Sequence, residues 1–234
     1  MLYVHEVHEV RGRREDDFEA MIRDEWMPTL AKTDYARLLW FLVHIHCTGP
    51  AYNIVTVTAV RDGAAWEELA SRLNRGDLAD WQTELDSMRH AMTSSVMIPV
   101  PWSPLQEVEL GAVPVTPQEH EPTIYMEDTG WPHAALADYI GFWGEGYHKP
   151  MQARPADERL LDIELCFSPA YGAGRRKEAV LWQKVLSHDL LMNLITKETP
   201  PERKAPGMFM HEALNYRDQW RSRLLRTSTW SPRW

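Results

Sequence analysis

Residues 37–60 read RLLWFLVHIHCTGPAYNIVTVTAV and residues 159–185 read RLLDIELCFSPAYGAGRRKEAVLWQKV. Each stretch is an apolar run, a turn containing Gly or Pro and a second apolar run, which is the pattern of a β-hairpin. The two also keep phase. Leu39, Phe41, Val43 and Ile45 alternate on one face of the first strand, and Leu161, Ile163, Leu165 and Phe167 align with them in the second. Successive side chains of a strand point to opposite faces, so this alternation predicts one apolar, buried face. The opposite face carries Trp40, Leu42, His44 and His46 in the first copy and Asp162, Glu164, Cys166 and Ser168 in the second.

Elements flank both hairpins in the same order. A strand at residues 2–10 and a helix in which Phe18, Ile22, Trp26 and Leu30 recur every fourth position precede the first. A strand at 123–127 and a helix with Leu136, Ile140, Trp143 and Tyr147 precede the second, and Gly141, Gly144 and Gly146 are expected to bend or shorten that helix. A helical stretch follows each hairpin, with Trp66, Leu69 and Leu73 or with Leu191, Leu194 and Ile195. The halves then close through Asp80 and Trp81, or Gln219 and Trp220, into strands ending at Trp102, Ser103 and Pro104, or at Trp230, Ser231 and Pro232. Strand, helix, strand, strand, helix, strand is the split βαβ unit. The sequence therefore predicts an α+β fold of two ferredoxin-like units, residues 1–104 and 122–234, joined by a Pro- and Glu-rich linker at 105–121. An antiparallel sheet with both helices on one face leaves its other face to be covered, and the companion sheet is the natural cover, giving an α+β barrel. Residues 197–207, KETPPERKAPG, are expected to form a flap or interaction loop.

The formal net charge of -9 opposes a generic nucleic-acid or anionic-membrane surface, so neither partner is expected. No apolar run is long enough to span a bilayer, and the charged opening MLYVHEVHEV is unlike a signal peptide, which points to the cytoplasm. Two cysteines, Cys47 and Cys166, make no disulfide framework and no thiolate metal cluster. No phosphate-binding Gly loop, nucleophile elbow, HExxH or CxxC pair is present.

The opening LYVHEVHEVRGRREDDFEAMIRDEWMPTL, the hairpin after it and the DxxDW-like segment at 77–81 resemble the NIPSNAP-like branch of the dimeric α+β barrel superfamily. The signature returns more faintly from Tyr125 and in NYRDQWRSRLLRTSTWSP at the end, so the resemblance covers most of the chain as tandem copies. It implies a ligand pocket between sheet and helices or inside the barrel. It also implies a choice among cofactor-free monooxygenases, isomerases, cyclases, haem enzymes such as chlorite dismutase, and proteins without activity, which fold alone does not decide.

His44 and His46, two apart on one strand, are expected to point the same way. Glu6 and His8 share a face of the first strand, and if it is the same face the four gather with Trp40 as a site. Such a cluster can act as a general base on a small apolar or aromatic compound without a nucleotide cofactor. It can also hold a divalent metal through His44, His46 and Glu6, or sit structurally against Thr56 and Thr58. A one-residue slip would bring His5 in place of Glu6 and His8. Asp162 and Glu164 are read as ion-pair formers, Cys166 as inert, and Trp26 and Trp143 as core. His148 is read as a surface helix-end residue, with haem ligation as its alternative. No cofactor is expected, with haem or a divalent metal left open, and the partners expected are a small apolar molecule and a further copy of the chain. A ligand-binding or assembly protein without catalysis is the competing reading.

Overall fold

The computed structural model describes residues 1–170 and 176–234. The chain divides into two compact units: Met1–Ile98 with Glu107–Thr123 and Leu224–Trp234, and Pro99–Gln106 with Ile124–Arg223. Among the described residues the fold is α+β, with eight strands whose pairings within each unit run antiparallel.

In the first unit β1 (Leu2–Val10) lies between β3 (Asn53–Val60) and β4 (Arg89–Pro99), and β2 (Ala36–His44) pairs on the other side of β3. One face of this sheet is covered by α1 (Glu15–Met21), a π-helical turn (Ile22–Trp26), α2 (Met27–Ala31), α3 (Gly63–Arg75) and α4 (Ala79–Ser87). Phe18, Ile22, Trp26 and Leu30 are all buried in that layer. A strict four-residue repeat overruns the 3.6 residues of an α-turn, and the wider π-turn takes up the surplus so that all four face the sheet. α3 starts at Asp62, whose carboxylate accepts from Ala65 N at 2.9 Å. Helix α4 is an addition to the expected order, and its Trp81 stacks on Trp26 with centroids 4.7 Å apart.

The second unit repeats the plan with β5 (Ile124–Trp131), β7 (Ala179–Val185) and β6 (Leu161–Pro169). Its helices are α5 (Leu136–Trp143), a π-helical turn (Gly144–His148), α6 (Lys149–Gln152), α7 (His188–Thr196) and the short α8 (Phe209–Glu212), and β8 (Gln219–Thr227) completes the elements. The glycines do not end the first of these helices. The same π-turn occurs in the first unit without them, and Gly144 serves another purpose, since a Cβ there would stand 2.7 Å from Trp102 Cδ1. β5 runs on to Trp131, beyond the expected 123–127. Part of the second hairpin turn lies outside the described residues.

Bonds recur at matching positions. Ser231 Oγ accepts from Phe41 N at 3.1 Å and Ser103 Oγ from Cys166 N at 2.9 Å. Ser228 N donates to Phe41 O as Val100 N does to Cys166 O, and Arg11 N to Met88 O as His133 N does to Tyr216 O. These pairs correct the expected alignment of the hairpins. Each first strand carries a β-bulge, between Leu38 and Trp40 and between Ile163 and Leu165, so Trp40 matches Leu165 and Phe41 matches Cys166. A bulge inserts one residue and exchanges the faces beyond it, which is why simple alternation from Leu161 puts Cys166 on the mixed face. It packs instead with Ile163 and Tyr139 in the helix-side core. By the same matching Trp81 corresponds to Phe209, and Trp220 sits in β8 rather than beside Trp81's place.

The face away from the helices is buried too: Tyr3, Trp40, Val55 and Val57 in the first unit and Tyr125, Leu165 and Trp182 in the second are fully enclosed. The segment 105–121 contains a 3-10 turn (Leu110–Ala112), with Val108 and Val113 buried beside it. No helix among the described residues is long and apolar enough to cross a membrane.

Candidate functional site

Cross-strand partners share a face, so the register of β1 and β3 decides which polar residues meet. Val4 faces Thr58, Glu6 faces Thr56 and His8 faces Ile54. Val4 and Ile54 belong to the core under the helices, which places Glu6, His8, Thr56 and Thr58 on that face. His5 and Trp40 both pair with Val57 and lie on the opposite face. The expected gathering of Glu6 and His8 with Trp40 and His44 therefore does not occur. β2 ends at His44, whose Nδ1 lies 3.2 Å from Pro50 O, while His46 is exposed in the following turn. Among the described residues no group of three His, Cys, Asp or Glu side chains is placed to hold a metal, so the conditional trio of His44, His46 and Glu6 is not assembled.

What the helix-covered face does assemble is a directional chain. Arg89 Nη1 lies 2.7 Å from His8 Nδ1, and its Nη2 donates to Asp86. A guanidinium only donates, so Nδ1 is the acceptor and the imidazole proton sits on Nε2. Nε2 is 3.1 Å from Thr56 Oγ1, and Thr56 in turn donates to Glu6 Oε2 at 3.3 Å. Phe18 of α1 closes over the imidazole, ring centroids 5.0 Å apart. Burial, then the Arg89 charge, pushes the His8 pKa well below its usual range, so the ring stays neutral and the chain keeps its direction. Burial raises the Glu6 pKa, opposed first by Arg89 and then by the Thr56 hydrogen bond. Glu6 is half-buried, beside exposed residues of β4 that include Ser94, and Ser94 also stabilises its charged form. A carboxylate poised in this way, reachable from one side and held from the other, is suited to take up and return a proton.

The other candidates have plain partners. Asp162 pairs with Arg159 at 2.9 Å, and Glu164 accepts from Tyr125 Oη at 3.1 Å. Cys166 is enclosed, and burial raises its thiol pKa well above the usual range, which leaves it inert. Trp26 and Trp143 are core residues. His148 is half-buried and stacks on Trp102 at 5.0 Å, and burial lowers its pKa. The layer next to it is filled by Trp143, Tyr139 and Ile163, so the residues present there do not fit a haem macrocycle. Arg89, Asp86 and Ser94 escaped the sequence reading. A signal for two of them exists: Arg89 and Ser94 precede Trp102 at the same spacings at which Arg217 and Ser222 precede Trp230.

No family model matches the sequence, and no curated protein matches it. Solved structures do match. An anthrone oxidase-like protein is 9% identical over 97% of this chain and 91% of its own, with a TM-score of 0.60. A monooxygenase candidate from Lactobacillus acidophilus NCFM is 9% identical over 98% and 96%, with a TM-score of 0.58. A chlorite dismutase variant from Candidatus Nitrospira defluvii is 10% identical over 97% and 91%, with a TM-score of 0.52. At such identities the likeness shows the fold alone, an α+β fold of ferredoxin-like units.

Proposed function

We propose that the protein is a small-molecule enzyme that needs no nucleotide cofactor and moves a proton on an apolar or aromatic compound, with Glu6 as the proton acceptor. The observation that carries this reading is the one-way chain from Arg89 through His8 and Thr56 to Glu6. Glu6 takes a proton from an acidic C–H or O–H of the substrate, and the electron pair left behind moves onto the substrate's own oxygen. Return of the proton to another atom makes the reaction an isomerisation or cyclisation. Transfer of electrons from the anion to dioxygen makes it a cofactor-free oxygenation, the type favoured by the names of the neighbouring structures. His8 and Arg89 hold Thr56 and Glu6 in place, and neither touches the reacting atoms. The recurring serine clamps and π-turns support two tandem copies of a NIPSNAP-like unit as the origin of this scaffold.

Anthrone is the first compound to try. Wild-type protein in aerated buffer should consume oxygen, or exchange the substrate's acidic hydrogen with heavy water, at least 100-fold faster than buffer alone. Glu6→Gln keeps the shape and should lose nearly all of that rate with its melting temperature unchanged. Full activity in Glu6→Gln would remove the proposal.

A second reading, a protein that works by assembly, is favoured by one feature. α7 leaves Leu190, Met192, Leu194 and Ile195 exposed. Sedimentation of the wild type against Leu194→Lys tests for a homo-oligomer held through that face, and a monomer at all concentrations would discard it.

A further inference from the structure

We propose that the second unit carries a separate binding site for an aromatic alcohol or phenol, built on Asp128, Tyr139 and Arg217 and reached past Ser222 and Trp220. Asp128 matches Glu6 in the first unit, but its surroundings differ. Its carboxylate accepts from Gln183 Nε2 at 3.0 Å and from Ser222 Oγ, and Gln183 Oε1 accepts from Tyr147 Oη at 2.9 Å. Where the first unit has His8, the second has Gly130, and the Tyr139 hydroxyl occupies the space a Cβ would take there.

Two polar atoms next to this carboxylate are enclosed with hydrogen-bonding capacity to spare among the described residues: Arg217 Nε, which makes no hydrogen bond, and Tyr139 Oη, which interacts with the Arg217 side chain outside ideal hydrogen-bond geometry. Tyr139 is fully buried, and Arg217 is 9% exposed. Enclosed polar groups are costly unless something pairs with them, so an arrangement with two of them beside a carboxylate is one that a ligand oxygen completes. The chemistry selects which oxygen. A hydroxyl has one hydrogen to give to Asp128 and two lone pairs to accept from Tyr139 and Arg217. A ligand carboxylate would meet Asp128 charge against charge, and an ammonium would have no lone pair for either donor. Burial, opposed by Ser222, Gln183 and Arg217 and aided by Glu127, raises the Asp128 pKa to about 6, so at neutral pH it is an acceptor.

The route in is marked by the strand face that carries the carboxylate's partner. Ser222 is exposed, and Trp220, two residues before it on the same face of β8, is 49% exposed with the Arg217 guanidinium 5.0 Å from its ring. An exposed indole beside such polar groups is a platform on which a second aromatic ring stacks. The hydroxyl supplies direction and the ring supplies area.

The site is independent of Glu6, and its test keeps the two apart. 2-Naphthol is titrated into the whole chain at pH 7 by calorimetry, with 2-methoxynaphthalene, which cannot donate, as the control. Tyr139→Phe deletes an oxygen whose neighbour is the Arg217 side chain and leaves the ring in place, and the expected result is at least tenfold weaker 2-naphthol binding at an unchanged melting temperature. Glu6→Gln should keep the binding event that Tyr139→Phe weakens, and the methyl ether should bind there at least tenfold more weakly than the phenol. Absence of saturable binding, equal affinity of Tyr139→Phe and wild type, equal affinity for phenol and ether, or loss of binding in Glu6→Gln would each overturn the proposal.

Discussion

The two units set the same question, how to keep a carboxylate under a helical layer, and answer it differently. Around Glu6 the answer is an imidazole locked neutral between a guanidinium and a threonine. Around Asp128 the imidazole is replaced by Gly130, a tyrosine hydroxyl fills the gap, and an amide and a serine hold the carboxylate. The strand neighbours diverge in parallel. Glu127, 1% exposed, is paired with Arg223, while the matching first-unit positions are His5 and Ser95, which face each other across β1 and β4. The backbone plan thus tolerates charged or neutral cross-strand pairs, and the chemistry of each unit is set by a few side chains on strands rather than by the fold.

The comparison can be broken most severely at the charged pair. Arg223→Met strands Glu127 without its cation and should cost about 3–5 kcal/mol in urea unfolding, whereas Ser95→Ala at the matching place should cost less than about 1 kcal/mol. Equal effects would mean that the two cross-strand sites are energetically alike. The next effect is one of sign. The Asp128 pKa is raised from 3.8 to about 6, so the folded state holds this proton more tightly, and the stabilisation is present below about pH 4 and lost as pH rises through 6. Asp128→Asn does not titrate and should gain on the wild type by roughly 3 kcal/mol between pH 4 and pH 7, at 1.36 kcal/mol per unit. His8 works in the opposite direction. Its folded pKa lies below the ordinary value, so its contribution is present above about pH 6.5 and falls away on acidification. His8→Gln should flatten that acid limb, and parallel slopes for the two variants would erase the distinction between the units. The smallest effect concerns a feature they share. Asp62 caps α3 and Ser187 caps α7, each accepting from the N–H three residues on, and either change to Ala should cost about 1 kcal/mol. A cap worth nothing in one unit would show that its helix is held by packing alone.

Much of the architecture is legible in the chain because apolar spacing is read directly by packing. The four-residue repeat of Phe18, Ile22, Trp26 and Leu30 announced a helix lying on a sheet, and the alternating runs announced the hairpins. The site was legible only in part. Glu6, His8 and Thr56 share a face because β1 and β3 are regular, so parity alone brings them together. Trp40 and His44 fall on the other side because parity fails at the Leu38–Trp40 bulge, which no local pattern marks. Arg89 lies far along the chain from His8 and meets it only once β4 is paired with β1, a register that apolar spacing does not specify when most of β4 beyond Arg89 is exposed.

The membership of the first unit also bears on how the molecule can be made. Leu224–Trp234 clusters with Met1–Ile98, and Phe41 N donates to Ser231 Oγ. During translation, therefore, the earliest strands emerge long before the residues that complete their bonding. The opening unit has to wait in an unfinished state while the whole of the other is threaded out of the ribosome, a delay that exposes it to chaperones.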